Sequence, residues 1–187
     1  MPWTLSNQLT IARVALIPLL ILAFYFLPEN VSHYTTAFIF ALAGFTDWLD
    51  GYLARSRGEV TAFGRFLDPV ADKLLVACAL VLLVDGNYAP SILAIIIIGR
   101  EITIGALREW LAERSTVVHV SQMGKWKTAM QMLAIGGLFL HVKIWYLDCH
   151  LAGLALLWIA AVLTLWSGYE YIRNAWPGLK DPSTEQK

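Results

Sequence analysis

The sequence predicts an all-α integral membrane protein, with six transmembrane helices around a polar cavity that faces the cytoplasm. Three observations carry this. First, of 187 residues 58% are hydrophobic and only 15% charged, against roughly 45–50% and 25% in soluble domains. Second, six apolar stretches each approach the ~20 residues that a helix needs to cross a bilayer. Third, the basic residues fall almost entirely to one side of those stretches. The apolar excess excludes a disordered chain. Two cysteines cannot staple a chain of this length. Fourteen Lys+Arg balance fourteen Asp+Glu, so no net charge draws the chain toward nucleic acid, and no nucleic-acid partner is expected.

The first span runs from Leu9 to Leu27 and stops at Pro28. It is too long for a signal peptide, lacks an A-x-A-like cleavage site and is followed by further spans, so it reads as an uncleaved helix. The second runs from Ser32 to Ser56. The third runs from Arg65 to Val84 and ends at Asp85-Gly86-Asn87, a turn-like triplet. The fourth runs from Pro90 to Leu111, with Pro90 suited to a first helical turn. The fifth runs from Lys125 to Val142 and the sixth from Leu151 to Ile172. All six are apolar nearly all round, which fits helices in lipid better than strands. Residues 1–176 thus read as one membrane domain, and the polar residues 177–187 as a mobile cytoplasmic tail.

With six spans both termini share a side. Thirteen of the fourteen bases lie on that side or on helix halves facing it, and Lys143 alone falls in an opposite loop. The positive-inside rule then puts both termini in the cytoplasm. Trp145 and Tyr146 suit an interfacial anchor on the far side. Cys78, inside the third span, and Cys149, in a far-side loop, are expected to be free thiols.

Charges inside a span are costly and face a cavity or a partner. Here they concentrate where the second and third helices adjoin. The run Asp47-Trp48-Leu49-Asp50-Gly51-Tyr52-Leu53-Ala54-Arg55 is followed, after eight residues, by Gly64-Arg65-Phe66-Leu67-Asp68-Pro69-Val70-Ala71-Asp72. At helical spacing Asp47, Asp50, Gly51, Ala54 and Arg55 occupy an arc of roughly 140°. Gly64, Asp68 and Asp72 line one stripe of the next helix, and a tight connection lets the two stripes face each other. Four like charges in a partly dry cleft repel strongly. Divalent cations would relieve that repulsion, all-oxygen ligation favours Mg²⁺ or Mn²⁺, and four carboxylates suffice to share two metals that clamp phosphoryl oxygens. Gly51, Ala54 and Gly64 either leave room for a ligand or let helices pack closely. Arg55 either pairs with a carboxylate or clasps a phosphate.

The pattern D-x2-D-G-x2-A-R-x8-G-x3-D-x3-D, matched at Asp47, Asp50, Gly51, Ala54, Arg55, Gly64, Asp68 and Asp72, resembles the signature of the CDP-alcohol phosphotransferases. The resemblance extends to the six-helix plan. It implies a Mg²⁺- or Mn²⁺-dependent transfer in which an alcohol attacks the β-phosphorus of a CDP-linked donor and CMP leaves. It also implies that Asp47, Asp50 and Asp68 ligate metal, and that Asp72 is the general base, a further metal ligand or both. Gly51, Ala54, Arg55 and Gly64 would shape the CDP site, and the chain would be a homodimer. The opening Asn7-x-Leu9-Thr10-x-x-Arg13 is similar to the family's N-x-L-T-x-x-R and adds Asn7, Thr10 and Arg13 to the nucleotide site; helix capping with an interfacial arginine is the alternative.

Further bases bear on the acceptor. Arg100 and Glu101 lie near the middle of the fourth span, where an unpartnered charge is costly. Arg100 and Arg108 share a face, and Lys125 and Lys127 open the fifth helix. Two arginines and two lysines near one cavity suggest an anionic acceptor such as an alcohol bearing a phosphate; the positive-inside rule also accounts for the lysines, and an internal Arg100–Glu101 pair for part of the rest. These segments resemble bacterial members of the family that join CDP-diacylglycerol to sn-glycerol 3-phosphate, at the cytoplasmic (inner) membrane. Inositol phosphate, serine or a second lipid are the alternative acceptors. An Asp-rich intramembrane prenyltransferase would not require Gly51, Ala54, Arg55 and Gly64 at these spacings. An ion transporter would spread its acids across the membrane and often carry inverted repeats.

Overall fold

A computed structural model describes residues 5–57, 62–113, 123–141, 143–144 and 147–180. Six helices follow one another along the chain: α1 Leu5–Phe26, α2 Glu29–Arg57, α3 Ala62–Asp85, α4 Ser91–Glu113, α5 Met123–Leu140 and α6 Cys149–Lys180. All six correspond to the stretches read from the sequence. A two-stranded hairpin, β1 Lys143–Ile144 with β2 Leu147–Asp148, joins α5 to α6, with Lys143 opposite Asp148 and Ile144 opposite Leu147. Trp145 and Tyr146, read as interfacial anchors, lie outside the described residues.

Local chemistry sets the boundaries. The Pro28 carbonyl accepts from the amides of Val31 and Ser32, both at 2.8 Å, so α2 begins ahead of the apolar run. The Ser32 hydroxyl reaches back to the Ala23 carbonyl at 3.1 Å and ties the two helices at this end. Asn87 adopts a left-handed conformation (φ 59°) that ends α3, with the Tyr88 amide on the Leu83 carbonyl at 2.8 Å. Asp148 caps α6 by accepting from the amides of His150 (3.1 Å) and Leu151 (3.2 Å). Helix α6 continues to Lys180, beyond the Ile172 end and the 176 domain limit read from hydropathy. Packing holds the helix as far as Ala175, which with Tyr171 is buried alongside Ile104 and Leu111 of α4.

The surface is apolar where that of a soluble protein is polar, and polar groups are buried beside the apolar core. Large apolar side chains stand outward, among them Phe26, Phe38, Ile95, Leu133, Trp158 and Val162. Asn7, Thr10, Arg13, Asp50, Lys127, Gln131 and Ser167 are buried. Lipid around the bundle explains both, since an apolar exterior of this extent is unstable in water and intramembrane polar groups turn inward. The chain is a helical membrane protein. By length and composition Asn7–Phe26 and Cys149–Trp176 are apolar enough to cross a membrane. Charges interrupt the others: Asp47, Asp50 and Arg55 in α2, Asp68, Asp72 and Lys73 in α3, Arg100 and Glu101 in α4, Lys125 and Lys127 in α5.

The core holds the two ends of the bundle apart. Leu20 of α1, Phe40 of α2, Leu75, Leu80 and Leu83 of α3, Leu93 and Ile97 of α4, Ile135 and Leu138 of α5 and Leu157 of α6 form one apolar cluster. α1 packs on α2 and α3, while α6 packs on α5 and α4. The α5–α6 contact depends on glycines. A Cβ on Gly153 would stand 3.0 Å from the Ala134 carbonyl oxygen and 3.0 Å from the Leu138 nitrogen, so any larger residue would press on the α5 backbone at this approach.

Candidate active site

Four acids meet at one end of the bundle. Asp47 and Asp50 lie three apart on α2, and Asp68 and Asp72 four apart on α3, so each pair shares a helix face. On α1, Asn7, Thr10 and Arg13 follow at intervals of three and turn one buried face toward them. The Arg13 side chain is fully buried (0% exposed) and its guanidinium is the common partner: Nη1 stands 2.7 Å from Asp72 and 3.1 Å from Asp47, and Nη2 donates to Asp50. The Thr10 hydroxyl donates to Asp68 at 2.5 Å. Three helices are thereby joined through a single acid cluster.

The sequence reading placed Thr10 and Arg13 in this site; the structure adds that Arg13 sits among the carboxylates. Gly64 is buried on α3. Gly51, Ala54 and Arg55 fall in the last turns of α2, and their side chains lie outside the described residues. Among the described side chains here, three carboxylates share one guanidinium and a fourth, Asp68, is held by Thr10, an excess of negative charge that favours further cations. The donors are carboxylate oxygens, which suit a hard divalent ion. In this conformation no three described His, Cys, Asp or Glu residues surround a common metal position; inward oxygens are already taken by Arg13 and Thr10. The donor chemistry thus fits a divalent metal, with Arg13 as the cation presently among the acids.

A second polar cluster lies across a cavity of about 170 Å³ lined by Asp72, Lys73, Val76, Glu101, Thr128 and Gln131. On its far wall Lys127 of α5 donates to Glu101 Oε1, and Arg100 Nη1 faces the same oxygen at 3.5 Å. Arg100 Nη2 donates to the Ser167 hydroxyl of α6 at 3.0 Å. Gly168 makes room for this, since a Cβ there would lie 3.3 Å from Arg100 Cγ. Arg108 lies with its guanidinium 5.7 Å from the centre of the Tyr171 ring, a cation–π contact. The Lys125 side chain lies outside the described residues. Lys73 leans onto α4, where a Cβ on Gly105 would come within 2.4 Å of its Nζ.

Sequence reasoning did not single out Lys73, Gln131 or Ser167. The signals were present: Gln131 follows Lys127 by one turn on a buried face, and Ser167-Gly168 interrupts an apolar run of α6.

An acid cluster at one side of a cavity in a helical bundle, and at the other side Glu101 with the bases paired to it, suit a protein that handles phosphorylated substrates. The sequence profile of the CDP-alcohol phosphatidyltransferases matches residues 3–166, and the chain belongs to that family, whose chemistry uses divalent metal ions. Among the curated proteins it is similar to are several named CDP-diacylglycerol–glycerol-3-phosphate 3-phosphatidyltransferase. The one from Haemophilus influenzae is 51% identical, over 97% of this chain and 98% of its own. That from Pseudomonas fluorescens is 50% identical over 94% and 92%, and that from Escherichia coli 46% over 97% and 100%.

Proposed function

We propose that this chain transfers the phosphatidyl group of CDP-diacylglycerol to the 1-hydroxyl of sn-glycerol 3-phosphate, giving phosphatidylglycerol phosphate and CMP. The observation that carries the reading is the juxtaposition, across one cavity, of Asp72 with Glu101 and its bases. An acceptor that bears both a hydroxyl and a phosphate spans such a cavity, with the hydroxyl at the acid end and the phosphate at the basic end. The names of the relatives point to the same substrates.

In this reading Asp47, Asp50 and Asp68, with Asp72 as a further donor, hold Mg²⁺ or Mn²⁺, two ions by the number of carboxylates. The metal supplies charge neutralisation on the pyrophosphate of the donor. Asn7, Thr10, Arg13, Gly51, Ala54, Arg55 and Gly64 shape the cytidine diphosphate site. Asp72 takes the proton of the attacking hydroxyl. The hydroxyl oxygen bonds to the β-phosphorus, the bond from that phosphorus to the CMP oxygen breaks, and CMP departs with the electron pair. Arg100, Arg108, Lys125 and Lys127 hold the acceptor phosphate. Six helices span the bacterial inner membrane, with the termini and the site on the cytoplasmic side, and the enzyme works as a homodimer.

The test is an acceptor screen that follows CMP release from CDP-diacylglycerol by purified protein with Mg²⁺ or Mn²⁺. Release is expected with glycerol 3-phosphate. Release with inositol phosphate or serine in its place would sink the acceptor assignment.

A further inference from the structure

Glu101 is out of place in a phosphate site. It is an acid on the wall where bases converge, and an anionic acceptor has to come close to it. The geometry nevertheless binds it tightly into that wall. Lys127 is 5% exposed and Arg100 14%, and both address one oxygen of the Glu101 carboxylate, itself 27% exposed. Arg100 Nε is buried with no hydrogen-bond partner in the described structure. Arg108 lies within electrostatic reach of both Arg100 and Lys127. Two cations therefore share one carboxylate oxygen, with a third, Arg108, near both, and one guanidinium N–H is unsatisfied. Buried cations without a counter-ion are strongly destabilising, so the acceptor-free protein needs an anion at this point, and Glu101 is the one the chain supplies.

We propose that Glu101 is a displaceable stand-in for the acceptor's phosphate and so determines which acceptors bind. This rests on the reading of the site given above. A phosphate dianion brings more charge and more acceptor oxygens than a single carboxylate oxygen. It takes over Lys127 and Arg100, including the free Nε, and Glu101 turns into the adjoining cavity that it already lines with Asp72, Lys73, Thr128 and Gln131. A neutral alcohol has nothing to offer in exchange and leaves the ion pair closed. Selectivity for a phosphorylated acceptor then comes partly from the cost of breaking the Glu101 pairs, a competing contact rather than an added attraction.

The test compares wild type with Glu101→Gln, which keeps the shape of the side chain and removes the competing charge. The glycerol 3-phosphate KM of the variant is expected to fall about three- to tenfold, with the CDP-diacylglycerol KM unchanged. Inorganic phosphate should raise the melting temperature of the variant at correspondingly lower concentration than it does for wild type. Glu101→Asp, which keeps the charge, should resemble wild type in both respects. A Glu101→Gln protein whose glycerol 3-phosphate KM is unchanged or higher, or which no longer folds, would show a structural clamp and overturn the proposal. The phosphate melting arm needs no turnover. Failure of wild type to use glycerol 3-phosphate would thus count against the acceptor assignment, whereas identical phosphate responses in wild type and variant would count against the role of Glu101.

Discussion

Arg13 and Asp72, 59 residues apart in sequence, meet at 2.7 Å, and the same guanidinium nitrogen stands 3.1 Å from Asp47. One planar group thus fixes the relative positions of α1, α2 and α3 at the end where the acids gather. Lysine cannot reproduce this, because an ammonium is a point charge without the guanidinium fork. Arg13→Lys is expected to lower the melting temperature of detergent-purified protein, and Arg13→Ala to lower it further. The alanine variant leaves the buried Asp50 carboxylate unpaired, a loss on the order of 3 kcal/mol. Melting in the presence of a chelator keeps divalent ions from compensating; unchanged melting of both variants would contradict the bridging role.

Asp68 carries a different test. Its carboxylate accepts from Thr10 at 2.5 Å, a contact that an amide oxygen preserves. Asp68→Asn therefore keeps the α1–α3 hydrogen bond and removes only charge. If Asp68 holds metal, turnover measured by CMP release should fall by about 100-fold or more with melting little changed. Full activity would remove Asp68 from the proposed metal set.

The acid cluster was legible in the sequence because helical periodicity alone puts Asp47 with Asp50 and Asp68 with Asp72, and a short connection turns the two faces together. The central place of Arg13 was not, since nothing local distinguishes a buried arginine at the start of a span from an interfacial one. That required knowing that α1 packs on both α2 and α3. The base cluster was legible by type and, for Arg100 with Glu101, by pairing; that Lys127 shares the same carboxylate was not, and Ser167 comes from a helix read only as apolar. The hairpin after α5 escaped notice because two-residue strands leave no hydropathy period.

Arg100 and Arg108 separate by environment. Arg100 is held by Glu101 and Ser167, whereas Arg108 is exposed beside Tyr171. A charge-assisted contact to phosphate is worth about 1.5–3 kcal/mol. Arg100→Ala should accordingly raise the glycerol 3-phosphate KM by about tenfold or more, and Arg108→Ala by a smaller factor, with the CDP-diacylglycerol KM less affected in both. Equal effects on the two substrates would assign these arginines a structural role.

Gly153 tests the packing of the bundle away from the chemistry. A methyl group there meets backbone atoms of α5 at 3.0 Å, atoms that cannot move aside without shifting the helix. Gly153→Ala is expected to cost about 1–3 kcal/mol of stability by overpacking. Gly105→Ala meets only the flexible end of Lys73, so it should melt near wild type. Equal melting of the two variants would mean that α5 and α6 approach less closely than described.

At the opposite end of the bundle, His141 stacks on His33 (ring centres 5.4 Å apart), and its Nδ1 lies 3.2 Å from that of His150. Tyr88 packs against all three rings, and Glu29 and Asp148 are the acids nearby. Burial, then the neighbouring His150 and His33, hold the His141 pKa below its ordinary 6.5, against the opposite pull of Asp148 and Glu29. A histidine with a lowered folded pKa binds fewer protons folded than unfolded, so its contribution to stability is present above the unfolded value and is lost as pH falls through the folded one. The melting temperature should therefore drop as the buffer is taken from about pH 7.5 to about pH 5, beyond what the rest of the chain contributes. His141→Asn suits the left-handed backbone at this position (φ 41°) and removes the titrating group. The pH dependence of its melting should be shallower than that of wild type; an identical slope would show that the histidine cluster does not couple protonation to the packing of this end.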